Sequence, residues 1–374
     1  MDSCDVLIVG GGPAGSSCAW KLRQSGLDTL VLDKQVFPRD KVCAGWITPA
    51  VLQELEIAPD EYARGRVLQA IHGFRTGMMG GREVETDYGR PISYGIRRCE
   101  FDEYLLKRSG ARILEGVPLA ALERSADHWI ANGRIRARIL VGAGGHFCPV
   151  ARHLGANARP GACIAAQETE FEMTAVQRAY CTIRPEIPEL YFCRDMKGYG
   201  WCVRKDNFLN VGLGRLDPQG LPGHVAGFLR FLKATAKVCF DLPSALKGHS
   251  YLLSGFSTRD PAGDGVLLIG DSAGIAYPQS GEGIRPAVES GLLAAKAILD
   301  RGSCCGRRLA ETYRNLLDQR LGASPKDWAF TLGKHVPAWL TRPVAQLLLA
   351  NGWFAKNFVL DRWFLHSQDP ALTY

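Results

Sequence analysis

Several absences narrow what this 374-residue chain can be. Its twelve cysteines include no C-x-x-C pair, so neither a zinc site nor an iron–sulfur cluster is indicated and no metal is expected. No run reaches the roughly 18 apolar residues needed to cross a bilayer. Lysines and arginines are scattered, with no long basic run, and the formal charge is a modest +7, so nucleic acid is not an expected partner. The opening "MDSCDVLIVGGG" has no basic segment ahead of its apolar residues, so no secretory signal is read and a cytoplasmic location is expected.

What is there points to an α/β protein. Hydrophobic residues make up 46% and glycines number 42, which fits a soluble fold with many turns. The length predicts two intertwined domains.

"DVLIVGGGPAGSSCAWKLRQSGLDTLVLDK" carries the strongest local signal. Val6–Val9 reads as a buried parallel strand. Gly10, Gly12 and Gly15 match G-x-G-x-x-G, in which glycine allows a tight turn and lets backbone approach a pyrophosphate at a helix start. The helix is predicted over about Ala14–Ser25, with Ala19 against the sheet and Gly26 ending it. A second strand follows, and Asp33 at its end is placed to accept ribose hydroxyls. Strand, glycines, helix, strand and acid in this order form a dinucleotide fingerprint, although Asp33 alone does not separate FAD from NAD.

A second glycine-rich element lies at "GDGVLLIGDSAGIAYPQSGEGIRPAVESGLLAAKAI". Val266–Ile269 reads as another buried strand, and a helix is predicted over about Arg285–Leu299. Backbone amides at Gly281–Ile284 are suited to an anionic or electron-rich group. Asp271 is placed to reach a ribityl or phosphate-linked hydroxyl.

These motifs, with "PRDKVCAG" and "RRCEFDEYLL", make the chain resemble FAD-dependent oxidoreductases of the p-hydroxybenzoate hydroxylase type, and within them the geranylgeranyl reductase group. The resemblance covers most of residues 1–300. It implies FAD as cofactor. It also implies a three-layer Rossmann-like domain with a parallel sheet (1–70, 97–161 and 257–300), an inserted antiparallel β-sheet substrate domain (71–96 and 162–256) and a C-terminal helical region (301–374). By the same resemblance Gly270 and Asp271 meet the ribityl–pyrophosphate part, and Pro278, Gly281, Gly283 and Ile284 lie by the flavin ring. Pro13, Ala14, Lys34, Arg39 and Arg98 join the cofactor-binding set. For Arg98 the alternative is a surface charge on an amphipathic helix whose Phe101 and Leu105 face the core.

In the reductase group a P-x-x-x-x-C-G-G-like segment passes the flavin. Here it runs from Pro38 to Cys43, Ala44 and Gly45, so the resemblance places Cys43 beside the ring. A buried inert thiol is the alternative. One departure stands out. The superfamily's G-A-D-G-x-x-S segment reads "GAGGHFC", with Gly144 for aspartate and Cys148 for serine, which weakens the expectation of direct NAD(P)H reduction and leaves ferredoxin, a quinol or another flavin as donors. His146 is a lone loop histidine, a type more often bonded to backbone than catalytic.

Residues 71–96 read as three short strands and 162–256 as further strands, together an antiparallel sheet over the substrate side. Trp46, Tyr199 and Trp201 are the expected substrate-pocket residues; alternate strand positions bury Tyr199 and Trp201 equally well as core. From 301 on the chain is helical and aromatic, with ten Lys/Arg against five Asp/Glu. That suits a cavity lid, a membrane-surface patch, or packing on the core.

The leading expectation is an FAD enzyme that reduces a carbon–carbon double bond in a hydrophobic, isoprenoid-like substrate, with Cys43, Tyr199 and Glu282 as candidate proton donors. Glu282 equally suits a role in holding its loop. A flavin monooxygenase acting on a hydrophobic or aromatic substrate is the alternative. A halogenase is disfavoured because W-x-W-x-I-P is absent. A non-catalytic redox sensor, motivated by Cys304–Cys305 and the altered 142–148 segment, is the third reading.

Overall fold

Pairing at the Trp46–Ile47 strand decides how the chain divides. In the computed structural model this strand pairs with Ser93–Ile96, which also pairs with Leu68–Ile71, so residues 41–70 fall with 71–96 and not with the first strands of the chain. One unit comprises Met1–Asp40, Cys99–Ala162 and Tyr251–Ser324; the other comprises Lys41–Arg98, Cys163–Ser250 and Pro325–Tyr374. The described residues are 2–155, 163–216, 218–243, 245–254, 259–301, 306–322 and 338–373. The C-terminal helix Arg307–Leu321 belongs to the first unit, where the Tyr313 hydroxyl donates to the Leu268 carbonyl at 2.9 Å. Cys304 and Cys305 lie outside the described residues, as does 323–337.

In the first unit, Asp2–Val9 is the central strand, flanked in parallel by Thr29–Leu32 and Ile135–Gly142. Arg112–Leu114 and Val266–Leu268 extend the sheet in parallel on its two sides. Val9 sits opposite both Gly142 and Leu32, and Gly142 sits opposite Leu268, so four carboxyl ends finish level. Loops at that edge of a parallel sheet form the usual ligand crevice. Pro13–Leu22 is buried except at Lys21, because apolar and small residues cover nearly its whole circumference. It ends three residues before the expected stop at Ser25, with the Ser25 hydroxyl bonded to the Leu22 carbonyl. Its partner is Ile284–Arg301; a Cβ at Gly291 would lie 2.3 Å from the Ala14 carbonyl oxygen, so glycine lets the two helices cross this closely.

In the second unit a seven-stranded sheet carries two cores. Period-two alternation explains them: Trp201 and Val203 face one side with Trp46, Phe74, Leu349, Val359 and Phe364. Cys202 and Val211 face the other, against Leu221, Val225, Phe228 and Leu232 of the Leu221–Ala234 helix. Two features differ from a single antiparallel sheet. Glu189–Phe192 runs parallel to Gly73–Met78, and Ser93–Ile96 belongs to the separate three-stranded sheet.

Candidate functional site

The first glycine turn is built so tightly that side chains cannot enter it. Gly10 has φ +119°, and a Cβ there would lie 2.3 Å from the Ala143 carbonyl oxygen. At Gly15 the corresponding distance to the Gly10 carbonyl oxygen is 1.9 Å. Both neighbours are backbone and cannot rotate away. Asp33 is buried; its Oδ2 accepts the Gly11 N–H at 2.7 Å and its Oδ1 the Gln35 N–H at 2.8 Å. Helix Pro13–Leu22 begins at Gly12 with no side-chain cap, so its first N–H groups face out of the turn.

Arg39 completes the cradle. Its Nη2 pairs with buried Asp102 at 3.1 Å and would lie 3.4 Å from a Cβ at Gly12. Its Nη1 is buried without a hydrogen-bond partner among the described residues. A bare glycine turn, an uncapped helix start and an unsatisfied guanidinium nitrogen together fit a diphosphate. Gly10, Gly12, Pro13, Ala14, Gly15, Asp33 and Arg39 would hold it. Lys34 is solvent-exposed.

The second glycine element lies in the same unit. Gly270 has φ +59°, and a Cβ there would lie 3.0 Å from the Ala14 Cβ. The Asp271 carboxylate lies against Gly283, 3.2 Å from the position a Cβ would take. Arg259 ties this turn down: Nη1 donates to the carbonyls of Asp271 and Ser272 at 3.2 and 3.0 Å, and Nη2 donates to that of His146 at 3.0 Å. The loop after Pro278 closes with the Gly281 N–H on the Tyr277 carbonyl at 2.8 Å. Buried Glu282 accepts the Arg285 N–H at 3.3 Å, which gives its carboxylate a loop-holding, helix-capping role. The Tyr251 hydroxyl lies 2.3 Å from where a Gly281 Cβ would sit. Gly144 packs on Cys148: a Cβ there would lie 3.2 Å from the Cys148 Cα and 3.3 Å from its Sγ, so the two departures from the family segment occupy one space.

The second unit holds Cys43, Ala44, Gly45, Arg98, Trp46, Tyr199 and Trp201. Arg98 is 9% exposed, which removes the surface-charge alternative. The Cys43 segment is docked on the seven-stranded sheet through its backbone. The Cys43 N–H donates to Glu168 Oε1 at 2.7 Å, and the Cys43 carbonyl accepts Asn210 Nδ2 at 3.0 Å. Asn210 also donates to Glu170 at 3.2 Å and accepts the Trp201 indole N–H at 2.7 Å. Lys205, fully buried, pairs with Glu170 at 2.6 Å. Gly45 has φ +69°, and a Cβ would meet Lys205 Nζ at 2.4 Å and the Ile96 carbonyl oxygen at 2.5 Å. The Cys43 thiol is half-buried, and its sulfur accepts the Gly45 N–H at 3.4 Å.

Trp201 is a core residue whose indole lies on Gly212, where a Cβ would come within 2.3 Å. Tyr199 is half-buried, with its ring centroid 5.2 Å from Phe364 and 6.1 Å from Trp201. Trp46 is 5% exposed and packs 5.9 Å from Phe74 and 6.2 Å from Phe364. Glu168, Asn210, Lys205, Arg259 and Tyr251 were not singled out from sequence. The available signal for Glu168 was a carboxylate in period-two register with Ile164 and Ala166.

Residues 3–314 match the FAD binding domain family. Over 373 aligned residues the chain is 31% identical to a menaquinone reductase of Mycobacterium tuberculosis, covering 91% of this chain and 85% of that one. It is 27% identical to a digeranylgeranylglycerophospholipid reductase of Methanothermobacter thermautotrophicus, covering 85% and 83% of the two chains. Among solved structures, a geranylgeranyl bacteriochlorophyll reductase-like protein of Thermoplasma acidophilum superposes with TM-score 0.80 at 20% identity, covering 98% of each chain. The chain belongs to the FAD binding domain family. It is an FAD-dependent oxidoreductase. Among the described residues no helix is long and apolar enough to cross a membrane, and no metal-binding cluster occurs.

Proposed function

We propose that this protein saturates carbon–carbon double bonds in the polyprenyl chain of a lipid or lipid-like quinone. Support comes from the relatives above: a menaquinone and a digeranylgeranylglycerophospholipid both carry unsaturated polyprenyl chains. The observation that carries the reading is the composition of the sheet face that holds the Cys43 segment. Trp46, Phe74, Phe192, Trp201 and Phe364 form a buried aromatic floor there, with half-buried Tyr199 on it, beside the polar group of Glu168, Glu170, Lys205 and Asn210. A half-buried ring on an aromatic floor suits contact with an apolar chain.

Reduced FAD, when bound, supplies the hydride that goes to one alkene carbon. The other carbon takes a proton, so the product gains two hydrogens and one carbon–carbon bond order is lost. We assign that proton to the Cys43 thiol or the half-buried Tyr199 phenol, not to Glu282, whose carboxylate caps a helix. Asn210 and Glu168 fix the Cys43 backbone on both sides, so the thiol's direction is set before substrate arrives. We take the electron donor to be a quinol or ferredoxin and not a pyridine nucleotide, because Gly144 leaves this segment without the aspartate that the family resemblance ties to NAD(P)H use.

We further propose that the protein works at a membrane surface. Val344, Leu347, Leu348 and Trp353 are exposed at 46%, 75%, 40% and 67%, next to exposed Arg342. An apolar patch with a neighbouring cation suits an anionic lipid surface.

The test is anaerobic. Protein reduced with dithionite is mixed with a geranylgeranyl lipid, and the flavin spectrum is followed. Return of the oxidised spectrum at a rate that saturates with lipid supports the reading. A spectrum that stays reduced until oxygen is admitted rejects it.

A further inference from the structure

Glu168 and Glu170 stand two residues apart on the same face of the Cys163–Glu172 strand, and their surroundings treat them oppositely. Glu170 is met by Lys205 Nζ at 2.6 Å, Asn210 Nδ2 at 3.2 Å and Arg97 Nε at 3.5 Å. Glu168 is 5% exposed. Its Oε1 accepts the Cys43 N–H, while its buried Oε2 has no hydrogen-bond partner among the described residues. A carboxylate with one oxygen buried and bare pays heavily for its charge.

The two acids accordingly diverge. Burial is the largest influence on Glu168 and pushes its carboxyl up to about 7, against the pull of the Cys43 N–H, Lys205 and Asn210. Burial opposes ionisation at Glu170 as well, but Lys205 and then Asn210 and Arg97 hold that carboxyl below its ordinary range. Groups facing Glu168 come from every neighbouring element. Glu170 is on its own strand, Lys205 and neutral Asn210 are on the two strands beyond, and Cys43 is on the docked segment. Lys41, earlier in that segment, pairs with His249 of the adjoining strand, and Arg97 lies past Glu170. A pair of acids driven apart by environment marks one as a proton carrier at working pH.

We propose that Glu168 is a positioning residue for the reduction: a buried carboxyl that holds the Cys43 segment through its backbone N–H and alters that hold by gaining or losing one proton. The proposal rests on the reading that Cys43 borders the reacting bond. Ionised, Glu168 gives the N–H a charge-assisted bond, roughly twice as strong as a neutral one. Protonated, it gives a neutral bond, and the proton resides on Oε2. Only an O–H bond is made or broken, and the proton exchanges with solvent. The Asn210 bond to the Cys43 carbonyl carries no titrating group, so titration changes one of two anchors and does not release the segment.

The test reads Cys43 directly. FAD-loaded wild type and Glu168→Gln are treated with iodoacetamide between about pH 5.5 and 8.5, and the Cys43 peptide is quantified by mass spectrometry. Gln keeps the carbonyl acceptor and cannot titrate. The ratio of variant to wild-type rate is expected near unity at the acid end and to rise about threefold through a midpoint near pH 7 as the wild-type anchor tightens. A flat ratio overturns the proposal. Glu168→Asp, too short to reach the N–H, is expected to alkylate faster than wild type throughout; equal rates again overturn it. In turnover, the wild-type kcat/KM profile is expected to break near pH 7 and that of Glu168→Gln to lack the break; an unchanged break contradicts the proposal. If no polyprenyl lipid is reduced at all, the proposed function fails, while the alkylation ratio still decides the role of Glu168.

Discussion

Asn210 donates its side-chain N–H to the Cys43 carbonyl oxygen at 3.0 Å, across 167 residues of sequence. The same carboxamide accepts the Trp201 indole N–H, so one buried side chain ties the Cys43 segment to the aromatic floor. Asn210→Ala would strand the indole N–H and the Cys43 carbonyl. We expect a stability loss of about 3 kcal/mol in urea unfolding and a fall in turnover larger than any change in FAD content.

Gly15→Ala should give colourless protein. Its methyl would fall 1.9 Å from the Gly10 carbonyl oxygen, inside the turn assigned to the diphosphate. Flavin absorbance after purification, with circular dichroism to confirm folding, checks this. A yellow variant with normal FAD content would remove the cradle from the account.

Gly144→Asp should destabilise by about 1–3 kcal/mol, because the new side chain enters space held by Cys148 and Pro149. Adding Cys148→Ser should recover part of that loss. A double-mutant cycle is expected to show coupling of at least about 0.5 kcal/mol, and strict additivity would mean the two positions are independent.

The pH dependence of stability follows from Glu168. Its carboxyl moves from an ordinary 4.5 to about 7 in the folded chain, so the folded state binds its proton more tightly than the unfolded state. The stabilisation is full below about pH 4.5 and is lost as pH rises through 7, at about 1.4 kcal/mol per pH unit and about 3 kcal/mol in all. Glu168→Gln lacks this slope. Its stability relative to wild type should therefore improve from pH 5 to pH 8 by that order, measured by denaturant unfolding at both.

Leu347→Asp with Trp353→Ser should weaken binding to anionic vesicles at least about tenfold, with the flavin spectrum unchanged. Equal sedimentation of variant and wild type with vesicles would place the surface contact elsewhere.

The glycine turns were legible because their constraint is local. Backbone contact at Gly10 and Gly15, with a positive φ at Gly10, admits only glycine, and two such positions between a strand and a helix leave few other readings. Asp33 and the Phe101–Leu105 face followed from the same short-range logic, whereas Arg39 came only from the family resemblance. Glu168 and Asn210 were not legible as site residues, since each matters only after a particular strand register brings it to the Cys43 segment. Arg259 is a single arginine whose three carbonyl partners come from two distant loops. The strand Trp46–Ile47 is two residues long, too short for a periodic pattern, so its pull on residues 41–70 emerged only from pairing. Trp201 and Tyr199 share one strand face, but only packing separates the buried one from the half-buried one.

The most direct test is the mass of the product. Reduced, anaerobic protein given a geranylgeranyl lipid in deuterated water should return lipid with two deuterium atoms added per saturated bond, because both the flavin N–H that supplies the hydride and the acid that supplies the proton exchange with solvent. Unchanged lipid, or lipid that has instead gained oxygen when air is admitted, would contradict alkene reduction as the activity of this chain.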